Sequence, residues 1–340
     1  MRKLLNTLYV TDEKAYLSLE GESVICKSEE KGTRQFPLAI LEGIVCFSYL
    51  GCSPALMGKC ADEGKSLVFF SPNGRFLARV SGKSQGNVYT RVRQTEVFER
   101  NRLVLVQDNV AAKLTNTRFL LERSLRDHKD MLHYAEISSF SEELKERILS
   151  VYAEEDIEVI RGIEGASAKK YFELMDALIL NRKPVFRIYG RSKHPPLDAV
   201  NAVLSFLYAM ATNDFASALE GVGLDSYIGF YHTLRPGRVS LACDLIEEIR
   251  ASIDRLVISM INLRVLDEGD FERQISGAVY LNEDGRQKVL KAWQEKKRST
   301  FEHTYLKEKV PFGLLPFVQA NLLAKFVRGE IEEYPPYLQR

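Results

Sequence analysis

Residues 102–125, RLVLVQDNVAAKLTNTRFLLERSL, decide the fold, because the hydrophobic period of the chain changes here. Apolar side chains recur in this stretch at steps of three, four and seven residues: Leu103, Val106, Val110, Leu114 and Leu121. That spacing predicts an amphipathic helix with one apolar face. Similar spacing predicts further helices at 141–152, 157–180, 197–219, 240–263, 285–300 and 316–328.

The chain before this stretch has the pattern of strands. Leu17 and Leu19 alternate with polar neighbours, and residues 24–26 and 43–47 are short apolar runs. A clearer signal is SLVFF, then Pro72-Asn73-Gly74, then RFLARV, which predicts a tight hairpin because Asn-Gly accepts positive φ.

Two further features complete the predicted fold. Ser53-Pro54 predicts the start of a short helix, since serine caps a helix and proline fits its first turn. A length of 340 residues is comfortable for two domains. The predicted class is therefore α+β: a small β-rich N-terminal domain over 1–81, a linker over 82–100 and a larger all-α domain over 101–340.

Composition leaves several functions open. Lys and Arg number 47 against 46 Asp and Glu, so the formal charge is +1 and a polybasic binder is not indicated. A nucleic-acid enzyme is still allowed, because acids elsewhere can balance a basic groove. The sequence shows no signal peptide and no apolar run of the roughly 20 residues that span a membrane. The five cysteines lack paired metal-site spacing, which favours buried free thiols in a reducing cytoplasm.

The segment 230–250, FYHTLRPGRVSLACDLIEEIR, contains the densest chemistry. Asp244 and Glu247 lie three residues apart on a predicted helix capped by Ser240, and such a pair repels unless a cation lies between the carboxylates. A ring nitrogen of His232 is in reach of the same ion, and a mixed histidine and carboxylate set suits Mn²⁺ or Mg²⁺. The alternative, which the segment alone favours, is a solvated acidic face near a helix start, together with Glu248.

A second candidate acid lies in 159–172, VIRGIEGASAKKYF. Glu164 stands between Gly162 and Gly165, and small residues around one acid allow a substrate to approach it closely. The alternative is a helix–helix contact that needs small side chains, and the segment alone favours this.

The third feature is a basic strip over 182–193. Its cations are Arg182, Lys183, Arg187, Arg191 and Lys193, and Phe186 and Tyr189 lie between them. Such a strip suits a phosphate backbone with bases stacked on the rings, although an exposed, solvated loop is the simpler alternative. Asp198 is predicted to cap the following helix, and Asn201 to bond to a neighbouring helix or to serve the site.

Together these segments resemble the CRISPR-associated integrase family, the catalytic subunit of the spacer-acquisition complex. GIEG at 162–165, HPPLDAVNAVLSFLY at 194–208 and IGFYHTLRPGRVSLACDLIEEIR at 228–250 carry the match. NGRFLARV at 73–80 and VPFGLLPFVQANLLAKFVRGE at 310–330 extend it over nearly the whole chain, and the C-terminal part looks like the type I-C branch.

This resemblance implies one divalent metal ion, Mg²⁺ or Mn²⁺, held by Glu164, His232 and Glu247 as the catalytic residues, with Asp244 as an additional acid. The implied reaction is transesterification, in which a 3′-hydroxyl of a short DNA duplex attacks a phosphodiester of the CRISPR repeat. Water in place of the hydroxyl gives endonuclease activity, and reversal of the reaction acts on branched DNA.

The resemblance also implies partners. We expect a homodimer formed through the β-rich domain, a small ferredoxin-like CRISPR adaptation subunit, and a PD-(D/E)XK-type nuclease as a candidate for trimming DNA ends. Location in a prokaryotic cytoplasm, away from membranes, is expected. Charge and position suggest that Arg191, Lys193, Arg235 and Arg238 contact the DNA.

Two other functions remain open. Tyr231, His232, Arg235 and Arg238 stand together as in a tyrosine recombinase, which needs a nucleophilic tyrosine and no metal. A catalytically silent DNA-binding assembly scaffold would use the basic strip without the acids.

Overall fold

The computed structural model describes residues 6–82, 88–181, 184–193 and 195–339. A β-rich N-terminal region is followed by a mostly helical region, so the predicted α+β class is confirmed. Among the described residues, no helix is long and apolar enough to cross a membrane.

The N-terminal region contains two sheets. Its strands are β1 (Asn6–Val10), β2 (Tyr16–Glu20), β3 (Ser23–Ser28), β4 (Gly32–Pro37), β5 (Leu41–Cys46), β6 (Ser66–Phe70) and β7 (Phe76–Val80). The first sheet has the order β1-β5-β6-β7, with β1, β5 and β6 parallel and β7 antiparallel. The second is the antiparallel meander β2-β3-β4. Sequence analysis identified β2, β3, β5, β6 and β7 but not β1 or β4, whose alternation is weak.

The local signals of this region are largely confirmed. Helix α1 (Pro54–Asp62) begins with the Ser53 side chain accepting the Leu56 N–H at 3.3 Å. The β6–β7 hairpin forms as predicted, but only Gly74 of the Asn-Gly pair has positive φ, at 78°. Cys46, Cys52 and Cys60 are buried free thiols, whereas Cys26 and Cys243 are partly exposed.

The remaining chain is built mainly from helices. They are α2 (Val88–Arg100), α3 (Arg102–Asp127), α4 (Tyr134–Ala153), α5 (Ile157–Met175), α6 (Ala199–Gly221), α7 (Ser240–Ile246), α8 (Arg250–Asn262), α9 (Glu283–Arg298) and α10 (Leu315–Arg328). Helix α2 lies inside the segment 82–100 that was predicted as a linker, and α6 begins at the predicted Asp198 cap, which accepts the Asn201 N–H at 2.8 Å. Short hairpins β8 (Phe271–Arg273) with β9 (Val279–Leu281) and β10 (Thr300–Glu302) with β11 (Lys309–Pro311) were not predicted.

The predicted single helix over 240–263 is wrong in one respect. A 3-10 turn at Glu247–Ile249 separates α7 from α8. Ser240 is not the cap either: Val239 takes that position, and the Ser240 hydroxyl donates to the Thr233 carbonyl at 3.3 Å. Because of this break, the Glu247 side chain points in a different direction from the one it would have on a continuous helix.

The β-rich region packs directly on the helices. The ring of Phe47 stacks on that of Phe206 in α6, with centroids 5.7 Å apart. Gly74 lies against the same ring, so closely that a Cβ there would be 2.5 Å from a Phe206 carbon. The hairpin turn therefore needs glycine for close packing as well as for its positive φ.

Candidate metal centre

Two helices and a 3-10 turn bring two acids and a lysine to one point. Glu164 comes from α5, Glu247 from the turn between α7 and α8, and Lys113 from α3. The Lys113 ammonium donates to Glu164 Oε1 and lies 2.6 Å from Glu247 Oε2. The predicted meeting of Glu164 and Glu247 thus occurs, with a side-chain cation between the carboxylates.

Glu247 is the most strongly perturbed acid here. Only 5% of its side chain is exposed, and Arg250 Nε lies 2.9 Å from its Oε1. Burial acts to raise its pKa, but the positive charges of Arg250, Lys113 and His232 prevail and lower the pKa of Glu247 to about 2. The carboxylate is therefore ionised throughout the physiological range, as a cation ligand requires.

Asp244 organises the loop that carries His232. Its side chain is fully buried and accepts the backbone N–H groups of Phe230 at 2.8 Å, Tyr231 at 3.2 Å and His232 at 2.8 Å. Nδ1 of His232 lies 2.7 Å from Asp244 Oδ1, so its Nε2 faces Glu247 Oε1 at 3.8 Å. Asp244 thus orients the imidazole, a common role for a carboxylate behind a metal-binding histidine.

Other helices hold the same loop from outside. Gln94 of α2 donates to the Ile228 carbonyl at 2.9 Å, and Arg102 of α3 donates to the Phe230 carbonyl at 3.0 Å. Arg161 of α5 donates to the Tyr231 carbonyl at 3.0 Å. The irregular backbone around His232 is therefore fixed rather than left to solvent.

The solvated-face interpretation of the acidic helix is wrong. Asp244, Glu247 and Glu248 are all buried, with at most 4% of each residue exposed. Glu248 points away from the metal centre and accepts the Gln319 amide at 2.8 Å and the Tyr334 hydroxyl at 2.6 Å. Burial raises the pKa of Glu248 to about 7, so it serves the packing of the C-terminal tail.

The helix–helix interpretation does not hold for the two glycines beside Glu164. Gly162 and Gly165 are exposed, and outside the neighbouring backbone of their own helix no described heavy atom lies within 4 Å of a Cβ built on either of them. The surface beside Glu164 is therefore open to a bulky molecule.

The donor set fits a divalent cation. As the side chains lie, the described residues contain no group of three His, Cys, Asp or Glu arranged to hold an ion, and the Lys113 ammonium stands between the two glutamates. Glu247 Oε2 is buried, makes no hydrogen bond of good geometry among the described residues, and lies 2.6 Å from the Lys113 ammonium. Two carboxylates, with an imidazole nitrogen beside one of them, are ligand types that suit Mg²⁺ or Mn²⁺.

The predicted DNA-binding residues have different surroundings. Arg191 is partly buried and donates to Asn201 Oδ1 at 2.7 Å and to the Ser205 hydroxyl at 3.0 Å, which gives Asn201 a structural role. Lys193 is exposed, and desolvation and the charges of Arg250 and Arg191 lower its pKa.

The other two predicted DNA contacts follow His232 in the chain. Arg235 is exposed, whereas Arg238 is partly exposed and its charge opposes the burial that raises the pKa of the Cys243 thiol. In the basic strip, Phe186 is fully buried and unavailable for stacking, whereas Tyr189 is 84% exposed. Arg182, Lys183 and His194 lie outside the described residues.

Sequence analysis missed the residues of α3. Asn109 donates to the Asp244 carbonyl at 2.9 Å and Asn116 to the Glu248 carbonyl at 2.8 Å, with Lys113 between them on the same face. The available signal was three polar residues at i, i+4 and i+7 among the apolar positions of the buried face of this helix. Arg250 was missed too, although it lies three residues after Glu247.

Comparison with known proteins assigns the family. A family model described as CRISPR associated protein Cas1 matches residues 8–295. The chain belongs to the Cas1 family. A CRISPR-associated endonuclease Cas1 from Chlorobaculum tepidum is 42% identical over 343 residues, covering 100% of both chains. Another, from Moorella thermoacetica, is 39% identical with the same coverage.

Solved structures share the fold. A casposase bound to its integration product has a TM-score of 0.84 at 18% identity, over 97% of this chain and 92% of that one. The Cas1-containing chain of a Cas6-RT-Cas1–Cas2 complex has a TM-score of 0.81 at 18% identity, over 99% of this chain and 36% of that one. The recognition of a CRISPR integrase family is confirmed, while the type I-C subtype stays a prediction.

Proposed function

We propose that this Cas1 family member is a metal-dependent DNA integrase and endonuclease of CRISPR adaptation. In the proposed reaction, the 3′-hydroxyl of a short DNA attacks a phosphodiester of the CRISPR repeat. A new bond forms between that oxygen and the phosphorus, and the repeat strand breaks to release its own 3′-hydroxyl.

One observation carries the proposal: Glu164 and Glu247 share one cation between them, the Lys113 ammonium, and His232 Nε2 lies 3.8 Å from the other oxygen of Glu247. A Mg²⁺ or Mn²⁺ ion bound there would stabilise the negative charge that develops on the attacked phosphate. The exposed, small-residue surface at Gly162 and Gly165 leaves room for a DNA strand next to Glu164.

The residues of the chain have separate tasks. Glu164 and Glu247 bind the cation, His232 contributes Nε2, and Asp244 fixes the histidine through Nδ1. The exposed cations Lys193 and Arg235 are the best candidates for holding phosphate groups. Arg191 instead positions the loop before α6, because its guanidinium is already bonded to Asn201 and Ser205.

Assembly follows from the family. The related solved complex contains Cas2 beside Cas1, which supports a small adaptation subunit as the partner here. We further propose dimerisation through the β-rich region, and an end-trimming nuclease as an additional partner.

The tyrosine-recombinase alternative is weaker. The Tyr231 hydroxyl is buried without a hydrogen-bond partner among the described residues, and burial together with the charges of Glu164 and Glu247 raises its pKa well above 10. A nucleophile needs the opposite shift and an accessible oxygen. The silent-scaffold alternative does not explain why carboxylates are gathered beside the surface that we propose to bind DNA.

A strand-transfer assay tests the proposal. Short duplexes ending in 3′-hydroxyl or 3′-deoxy groups are incubated with repeat DNA and Mn²⁺, and joined products are counted. We expect joining only with the 3′-hydroxyl, and none with Glu164→Gln. Joining with 3′-deoxy ends, or a covalent protein–DNA adduct, would contradict the mechanism.

A further inference from the structure

Lys113 occupies the point on which the proposed metal ligands converge. Its ammonium contacts both Glu164 and Glu247, and only 17% of the side chain is exposed. A divalent ion and this ammonium cannot both occupy the position between the two carboxylates.

The position of Lys113 is set by its helix. Asn109 and Asn116, one turn to either side, are bonded to backbone carbonyls at the α7–α8 break. Helix α3 is therefore held against the break, and the lysine can leave the glutamates only by rotating its own side chain.

A place for the displaced ammonium exists next to it. A cavity of about 30 Å³ is lined by Lys113, by polar groups of Thr117, Ser167, Tyr208 and Asp254, and on one side by Arg250. That volume accommodates one water-sized group. Asp254 is buried and accepts the hydroxyls of Tyr208 and of Tyr171, the latter at 3.0 Å. Hydroxyl oxygens and a carboxylate are suitable partners for an ammonium.

We propose that Lys113 is a resident cation, which a divalent metal ion must displace from between Glu164 and Glu247, and that the cavity beside Asp254 receives the displaced ammonium. The inference rests on the proposed function, because it assumes that a divalent ion binds at this point. Lys113 then offsets part of the negative charge of the two carboxylates and keeps them close together before the metal binds. The cost of its displacement sets the metal affinity.

Binding of Mn²⁺ to the full-length protein without DNA tests this, by titration calorimetry at pH 8. The variants are Lys113→Met, Asp254→Asn and the double variant. We expect Lys113→Met to bind Mn²⁺ about tenfold tighter, equivalent to about 1.4 kcal/mol, because the competing cation is gone. Asp254→Asn is expected to weaken binding about threefold, and to have no effect in the Lys113→Met background.

A matched control separates this role from a general loss of charge. Lys170 pairs with Glu143 at 2.5 Å, outside the metal centre, so Lys170→Met is expected to leave Mn²⁺ affinity unchanged. Melting curves in EDTA show whether each variant folds. If Lys113→Met does not fold, Lys113→Gln replaces it, and the same tighter binding of Mn²⁺ is expected.

The outcomes distinguish this inference from the proposed function. Equal or weaker Mn²⁺ binding by Lys113→Met would overturn the role of Lys113 and leave the function intact. An Asp254→Asn effect that persists in the double variant would overturn the receiving cavity. If neither wild type nor Lys113→Met binds Mn²⁺, both the lysine role and the metal-dependent function are wrong.

Discussion

Replacement of Asp244 by asparagine tests how the metal centre is organised. Its two oxygens accept four N–H groups: Oδ2 those of Phe230 and Tyr231, and Oδ1 the backbone and ring groups of His232. An amide nitrogen in either position faces two donors and accepts from neither. Asp244→Asn thus leaves two buried donors unsatisfied whichever way the amide turns.

The size of the effect follows from that count. A buried donor without a partner costs about 1–3 kcal/mol, so Asp244→Asn should lower the free energy of unfolding by about 2–6 kcal/mol. For a chain of this length unfolding as one unit, the melting temperature should fall by about 3–8 °C. Loss of the group that orients His232 should also weaken Mn²⁺ binding by about 10–100-fold.

Thermal melting in EDTA and Mn²⁺ titration measure the two effects. Asp225→Asn is the matched control, because Asp225 Oδ1 accepts one exposed N–H, from Tyr227 at 2.8 Å, on the same stretch of chain. The control should change neither quantity. A loss below about 0.5 kcal/mol with unchanged Mn²⁺ affinity in Asp244→Asn would refute this account of the loop.

Three further predictions concern neighbouring groups. Burial raises the pKa of Asp254 from 3.8 to about 6, so its contribution to stability, present below about pH 4, is lost as pH rises through 6. Urea unfolding in EDTA should therefore show that the free energy of unfolding of the wild type falls by about 3 kcal/mol between pH 4 and 6, and that this fall is absent from Asp254→Asn. Parallel pH dependences of the two proteins would contradict this. Gly229→Ala should lower the free energy of unfolding by about 1–3 kcal/mol in the same experiment, because its Cβ would lie 2.6 Å from Asp244 Oδ2. An unchanged urea midpoint would show that the loop can shift to accommodate the methyl group. Deletion of residues 334–340 should lower the melting temperature, because buried Glu248 loses the Tyr334 hydroxyl and the Tyr337 N–H; unchanged melting would exclude a stabilising tail.

The sequence predicted the architecture better than the details. Long periodic segments such as α3 and α6 were found because their apolar faces repeat over several turns. The three-residue strands β8 to β11 were not predicted, because so short a run has no measurable hydrophobic period. The α7–α8 break escaped as well, because hydrophobic spacing continues across it while the backbone tightens.

The candidate site was likewise predicted only in part from the sequence. The segments alone favoured a solvated acidic face, because local spacing does not reveal that other helices cover Glu247. The proximity of Glu247 to Glu164 was predicted only from the family resemblance. Lys113 was missed because its importance comes from contacts with acids 51 and 134 residues later in the chain. Long-range pairing of this kind is a property of the fold rather than of any one motif.

The central claim is that Glu164, His232 and Glu247 hold a metal ion that drives DNA strand transfer. Its most direct test is the rejoining of a labelled branched DNA that mimics a half-integrated product, with Mn²⁺ or Mg²⁺ and with EDTA. The account predicts rejoining by the wild type only with metal, and none by Glu164→Ala or His232→Ala despite normal folding and DNA binding. Rejoining in EDTA, or full activity of Glu164→Ala, would contradict it.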